Sequence, residues 1–270
     1  MELIMYILIF AMGTIFGSFF TLAIYRIPLK KDITHERSFC PNCNHKLGFL
    51  DLIPILSYIF LKGKCRYCGQ KIRLRYLFLE ILSGLVFLIS YISMNFNFPF
   101  LEIPKMVYFV AFIFFYVTIV LVSGIDKEYR TINKSVVIFG VISQIIYILY
   151  LYITTGISMY RYSICLIMFM LICIFDKVIK RNLEKSNYII ELIYLGLYIN
   201  LFIEPILFII IILLTIVFCL WKKVILYVKQ NANLQSIEAE DKKKNVPIGF
   251  YLGISTIIIV LIQNFTCYWR

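Results

Sequence analysis

Charge is what this 270-residue chain has least of. Asp, Glu, Lys and Arg together make up 16% of it, where a soluble globular domain carries about a quarter. Acids are the scarcer sign, 15 against 27 Lys+Arg, which leaves a net charge of +12. The shortage of charge goes with 61% hydrophobic residues and a mean hydropathy of +0.88. Together these exclude a disordered chain, a coiled coil and an ordinary water-soluble enzyme. The first apolar stretch lacks a basic start, is long enough to span a bilayer, and runs directly into Arg26. It therefore reads as a retained helix rather than a cleavable signal. A glycine-rich nucleotide loop is also missing, so no motif locates a site for a nucleotide-derived cofactor.

What is present is a series of long apolar runs. A helix rising 1.5 Å per residue needs about 20 mostly apolar residues to cross a hydrocarbon layer of about 30 Å. Eight stretches qualify or nearly do: 3–25, 76–94, 106–125, 135–154, 159–176, 188–203, 205–221 and 248–264. The expected fold is thus an all-α polytopic membrane protein with about eight spans. Glu204-Pro205 interrupts a long apolar run, and a proline removes a helix donor, so a tight turn is expected there. Reading 188–221 as one helix instead gives seven spans. With the N-terminus outside, the inside segments 26–75, 126–134, 177–187 and 222–247 hold 24 of the 27 basic residues, leaving Lys105, Arg161 and Arg270 outside. That asymmetry predicts an N-out orientation with the main polar loops in the cytoplasm. The same dispersal argues against nucleic-acid binding, which needs basic residues gathered on a soluble face.

The eight cysteines fall into two groups. Cys165, Cys173, Cys219 and Cys267 sit in or beside apolar runs and read as small hydrophobes. Cys40-Pro41-Asn42-Cys43 and Cys65-Arg66-Tyr67-Cys68 form two C-x2-C pairs in one loop. Each such turn can offer two thiolates to one ion, and two turns complete a tetrahedron, so structural zinc is the favoured reading. Thiol redox or two disulfides are the alternatives, and a cytoplasmic loop disfavours stable disulfides. With four thiolates at hand, His35 and His45 read as bystanders. The apolar stretch 49–61 between the pairs is too short to span; it packs under the cysteine module or lies at the membrane interface.

Several motifs resemble one family. Gly17-Ser18-Phe19-Phe20 through Tyr25-Arg26-Ile27-Pro28, the two cysteine pairs, Asp51-Leu52-Ile53-Pro54, Arg75-Tyr76 and Glu80 cover residues 13–84 almost continuously. They resemble the N-terminal half of type IV prepilin peptidases. Val246-Pro247-Ile248-Gly249-Phe250 resembles that family's entry into its last span. The resemblance implies a bifunctional enzyme of the bacterial inner membrane. It would cleave the basic leader of type IV prepilin or pseudopilin precursors at the cytoplasmic face and N-methylate the new terminus from S-adenosylmethionine. The methylating half is expected in 1–94 and an aspartic-peptidase half of six spans in 95–270.

Such a peptidase needs two carboxylates sharing a proton. Asp126, in Ser123-Gly124-Ile125-Asp126, resembles the family's first catalytic aspartate, although Asn133-Lys134 stands where Pro-Asp is expected. Counting back from Gly196-Leu197-Tyr198 puts the second aspartate at Tyr188, so that motif, with its glycines and lysine, is missing. A phenol cannot take over the role of a shared-proton carboxylate. Asp176 is the first substitute and Glu191, one turn beyond Tyr188 on the same face, the alternative; Glu184 reads as a solvated loop acid. Asp176 beside Lys177 also reads as an interfacial ion pair, and Glu191 as the partner of a base across the bundle. Glu80 is expected to hold Arg26 or Arg75. Stretch 230–245 reads as a polar cytoplasmic loop. Leader cleavage is therefore one expectation, and a proteolytically inactive relative that binds or methylates prepilins is its rival. A transporter or scaffold rests only on the span count.

Overall fold

The computed structural model describes residues 2–35, 37–96, 102–183, 188–231 and 246–268. Glu184 and residues 232–245 of the polar loop lie outside these. The chain is all-helical, as expected, and the described residues hold isolated β-bridges but no strand. The helices are α1 (Glu2–Arg26), α2 (Leu56–Phe60), α3 (Leu74–Ser93), α4 (Ile103–Tyr129), α5 (Lys134–Thr155), α6 (Tyr160–Leu183), α7 (Tyr188–Phe202), α8 (Pro205–Asn231) and α9 (Ile248–Tyr268). Apart from short α2, they coincide one for one with the eight apolar stretches.

Six of them, α1, α3, α4, α5, α8 and α9, are long and apolar enough to cross a membrane. The protein is therefore a membrane protein with six span candidates among the described residues. The other two fall short for different reasons. Helix α7 is apolar but has only 15 residues, about 22 Å at 1.5 Å per residue. Helix α6 has 24 residues but includes Arg161, Asp176, Lys177, Lys180 and Arg181. The break between α7 and α8 falls where the proline predicts it. Pro205 is the first helical residue of α8, where its missing N–H costs nothing. Elsewhere Asn133 caps α5 by accepting from the Ser135 and Val136 amides, and Gly156 closes that helix with φ 64°.

The chain divides into two compact units, Met1–Ile113 with Leu261–Arg270, and Phe114–Val260. In the first, α1 and α3 pack through glycine. A Cβ on Gly13 would stand 2.7 Å from the Ser83 carbonyl oxygen, and one on Gly17 would stand 2.6 Å from the Glu80 Cα. Across the same seam, a Cβ on Gly84 would meet the Phe10 ring at 2.7 Å. Helices in lipid gain by such close approach, because hydrocarbon outside is as apolar as the interface itself. In the second unit, Phe115 of α4 stacks on Tyr198 and Phe202 of α7 with centroids 5.4 and 4.3 Å away. Phe169 of α6 meets Tyr194 of α7 edge-on. Helix α7 is thus the apolar centre of that unit, and Tyr198, Leu195 and Ile199 on it are fully buried.

Candidate functional site

The first site is built by two matching turns in the loop between α1 and α3. The Cys40 amide donates to the His45 carbonyl (3.0 Å) and the Asn44 amide to the Cys40 carbonyl (2.8 Å). The second turn repeats this: Cys65 to Gln70 (2.8 Å) and Gly69 to Cys65 (3.0 Å). Each is closed by an antiparallel bridge, Phe39 with Lys46 and Lys64 with Lys71. The residue after the second cysteine is left-handed in both, Asn44 at φ 56° and Gly69 at φ 71°. Asparagine and glycine are the residues that tolerate that conformation. The His45 ring lies against Tyr67, centroids 3.6 Å apart, and joins the turns.

The turns bring the sulfurs of Cys40, Cys43, Cys65 and Cys68 within 4.8 Å of one another, and all four are free thiols. Cys40 Sγ and Cys68 Sγ are 3.8 Å apart. A tetrahedron with metal–sulfur bonds of about 2.3 Å has an edge of about 3.8 Å, so the set fits a tetrathiolate ion. The thiols also divide in acidity. The Gln70 amide, with the Asn42 side chain, lowers Cys68 to about 6. At Cys43 the His45 amide pulls down, but desolvation and the neighbouring thiols prevail and push it up to about 11. Four thiols this close cannot all ionise unless a cation joins them. Neither histidine competes for it: His35 binds Asp32 and Thr34 instead.

The loop is tied to its span by Glu80. Its Oε2 accepts the Ile55 amide at 2.8 Å, and Ser18 also bonds to this carboxylate. An amide and a hydroxyl thus take the place expected of Arg26 or Arg75. Arg26 is 2% exposed and donates instead to the carbonyls of Asp32 (2.8 Å) and Arg37 (3.1 Å).

The second site is the end of α4. Asp126 has no exposure at all. Its Oδ1 accepts from the Tyr188 hydroxyl at 2.9 Å, and its Oδ2 from the Phe250 amide at 2.9 Å. The Gly249 amide donates to the Tyr188 oxygen at 3.3 Å. A Cβ on Gly249 would come within 3.0 Å of Asp126 Oδ2, so a glycine here lets α9 begin against the carboxylate. Lys127 lies over the Phe250 ring at 4.4 Å and ties the same two helices.

The substitute acids have other partners. Asp176 forms an ion pair with Lys134 of α5, whose ammonium also faces the Tyr194 ring at 5.2 Å. Lys177 was the expected partner, but consecutive residues on a helix do not face each other. Glu191 Oε2 accepts the Ile132 amide at 3.0 Å, from the connection between α4 and α5. Both acids are 5% exposed. The residue that meets Asp126 is Tyr188, at the position where counting places the missing aspartate. Sequence reasoning overlooked Tyr188 as a direct ligand of Asp126, and Lys134 as the ion-pair partner. The Gly249-Phe250 motif was the available signal for the other donor.

The comparisons with known proteins follow the same division. Residues 11–94 match the family model for the bacterial peptidase A24 N-terminal domain. That bears out the resemblance read from residues 13–84. Among curated proteins, the chain is 42% identical over 81 residues to a prepilin leader peptidase/N-methyltransferase of Myxococcus xanthus, covering 30% of this chain and 24% of the relative. It is 42% identical over 89 residues to one of Vibrio cholerae, covering 30% and 35%. It is 34% identical over 132 residues to one of Bacillus subtilis, covering 49% and 50%. The chain thus spans between a quarter and half of the length of these relatives. No solved structure matches it.

Proposed function

We propose that this protein processes type IV prepilin or pseudopilin precursors, removing their basic leader at the cytoplasmic face of the bacterial inner membrane and N-methylating the new terminus. The observation that carries this reading is the matching pair of C-x2-C turns within residues 11–94, the stretch matched by the peptidase A24 N-terminal model, together with curated relatives named for both activities. Zinc is the ion the four thiolates suit, since they offer it a closed tetrahedral set with no open position. That is a structural site, and it would hold the loop's shape rather than do chemistry. S-adenosylmethionine would supply the methyl group. The methylating part corresponds to 1–94 and the peptidase part to 95–270.

For cleavage, ionised Asp126 would take a proton from the attacking water while a second, protonated carboxyl hydrogen-bonds the scissile carbonyl oxygen, and the proton on Asp126 would then pass to the leaving nitrogen. Asp176 fills that second role in this reading, with Glu191 as the alternative. Either acid would have to exchange a present partner, Lys134 or the Ile132 amide. The basic residues clustered in 26–75, 126–134, 177–187 and 222–247 support the orientation that puts this chemistry in the cytoplasm.

The second reading, an inactive relative that binds or methylates precursors, is raised by the absence of the second aspartate motif. The side chain donating to Asp126 Oδ1 is the Tyr188 phenol, not an acid. Co-expression with a precursor bearing a short basic leader and an apolar helix separates the two, read by the mass of the product. The first reading gives leader removal, lost in Asp126→Asn and in Asp176→Asn or Glu191→Gln. The second gives an intact leader from the native chain.

A further inference from the structure

Between the cysteine turns, residues 49–61 present an apolar surface that stays largely exposed among the described residues. Phe49 is 80% exposed, Phe60 79%, Leu50 64% and Ile59 59%. Such a run of large apolar side chains is not left in water without reason. The opposite side of the segment is polar and engaged. The Asp51 carboxylate accepts from Arg66 Nε (2.7 Å) and the Tyr67 hydroxyl (3.1 Å), which clamps the segment to the second cysteine turn. Burial alone would raise Asp51, but the Gly48 amide, Arg66 and Tyr67 outweigh it and hold its carboxyl below the usual carboxylate range.

The depth of the segment follows from Glu80. Ile55 sits at φ 62°, a costly conformation for a β-branched residue, and its amide is fixed by the Glu80 side chain. Glu80 is six residues into α3, about 9 Å from that helix's start at 1.5 Å per residue. Helix α3 has 20 residues, and about 20 are needed to cross the hydrocarbon at all. The apolar segment is therefore held beside the outer third of a span that has no length to spare. Around it, Lys46, Lys62, Lys64, Arg66 and Lys71 are all exposed. Residues 26–75 hold 11 basic residues against Asp32, Glu36 and Asp51.

We propose that segment 49–61 is an interfacial anchor. Its apolar face lies at the headgroup–acyl boundary of an anionic bilayer, and the basic residues around it meet the lipid phosphates. Amphipathic segments settle about 5–10 Å into that boundary, which is the depth Glu80 imposes. Anionic headgroups answer the local positive charge.

The test uses the full chain with Trp221 and Trp269 changed to Phe, and a single reporter from Phe60→Trp. It is reconstituted in phosphatidylethanolamine–phosphatidylglycerol vesicles carrying bromine near the headgroup end of the acyl chains. The reporter should lose most of its emission to brominated lipid and be shielded from aqueous acrylamide. Phe49→Trp reads the other end of the segment and should behave alike. Quenching by acrylamide and not by brominated lipid, in both variants, overturns the proposal. Equal lipid quenching in purely phosphatidylcholine vesicles overturns its anionic part. Shielding that appears only on adding a peptide with an apolar helix overturns it in favour of peptide docking.

Discussion

Asp126 is sealed at the end of α4, and both of its oxygens accept from donors on other helices, Tyr188 of α7 and Phe250 of α9. A hydrogen bond to a carboxylate is worth about 1.5–3 kcal/mol. Tyr188→Phe should therefore lower stability by about that amount, seen as a fall in the thermal midpoint of the detergent-solubilised protein. On the inactive reading, Tyr188→Asp should restore leader removal; on the reading proposed first, the native chain already removes the leader. At the cysteine turns, the prediction concerns metal content. The purified chain should carry one zinc, and Cys40→Ser should reduce that severalfold by atomic absorption. Metal content unchanged by Cys40→Ser would remove the tetrathiolate.

Among the elements, one short connection is tied down by several side chains. The turn from α4 to α5 is held by Glu191 on the Ile132 amide, by the Asn133 cap and by Lys134 on Asp176. The two acids expected as catalytic partners thus also serve to hold backbone and helix. For α1 and α3 the decisive feature is close approach. Gly17→Leu would force side-chain atoms into the α3 backbone, and overpacking of this kind costs about 1–3 kcal/mol. Loss of folded yield in that variant, against an unaffected Gly196→Ala, whose Cβ would meet nothing closer than the Phe208 ring at 3.6 Å, is the expected outcome. Asp51→Ala should free the segment at 49–61 from the second cysteine turn, and proteolysis there should become faster.

Legibility from the sequence differed by element for physical reasons. The helices were readable because apolar length is a strong signal, and Pro205 marked the α7–α8 break by its missing donor. The cysteine site was readable because its four ligands come from two local turns. Asp126 was readable as an acid at a span's end, but its partners were not. Tyr188 and Phe250 reach it across 62 and 124 residues of chain, and no periodicity reports such a contact. Lys134 on Asp176 was missed for the same reason, since Lys177 was nearer in sequence and lies on another face of the helix.

At the scale of the whole molecule, few charges and a one-sided distribution make the same statement. Among the described residues six helices are long and apolar enough to cross a membrane, and the basic loops predict which side each end faces. Cysteine-labelling or reporter fusions at residues 2, 128 and 225 should place the first opposite the other two. The same side for all three would contradict the orientation. The proposed activity is tested most directly by co-expressing the chain with a prepilin precursor and weighing the product. The account predicts loss of the basic leader by the native chain and its retention in Asp126→Asn. An intact leader with the native chain, while the cysteine site is fully loaded with zinc, would contradict it.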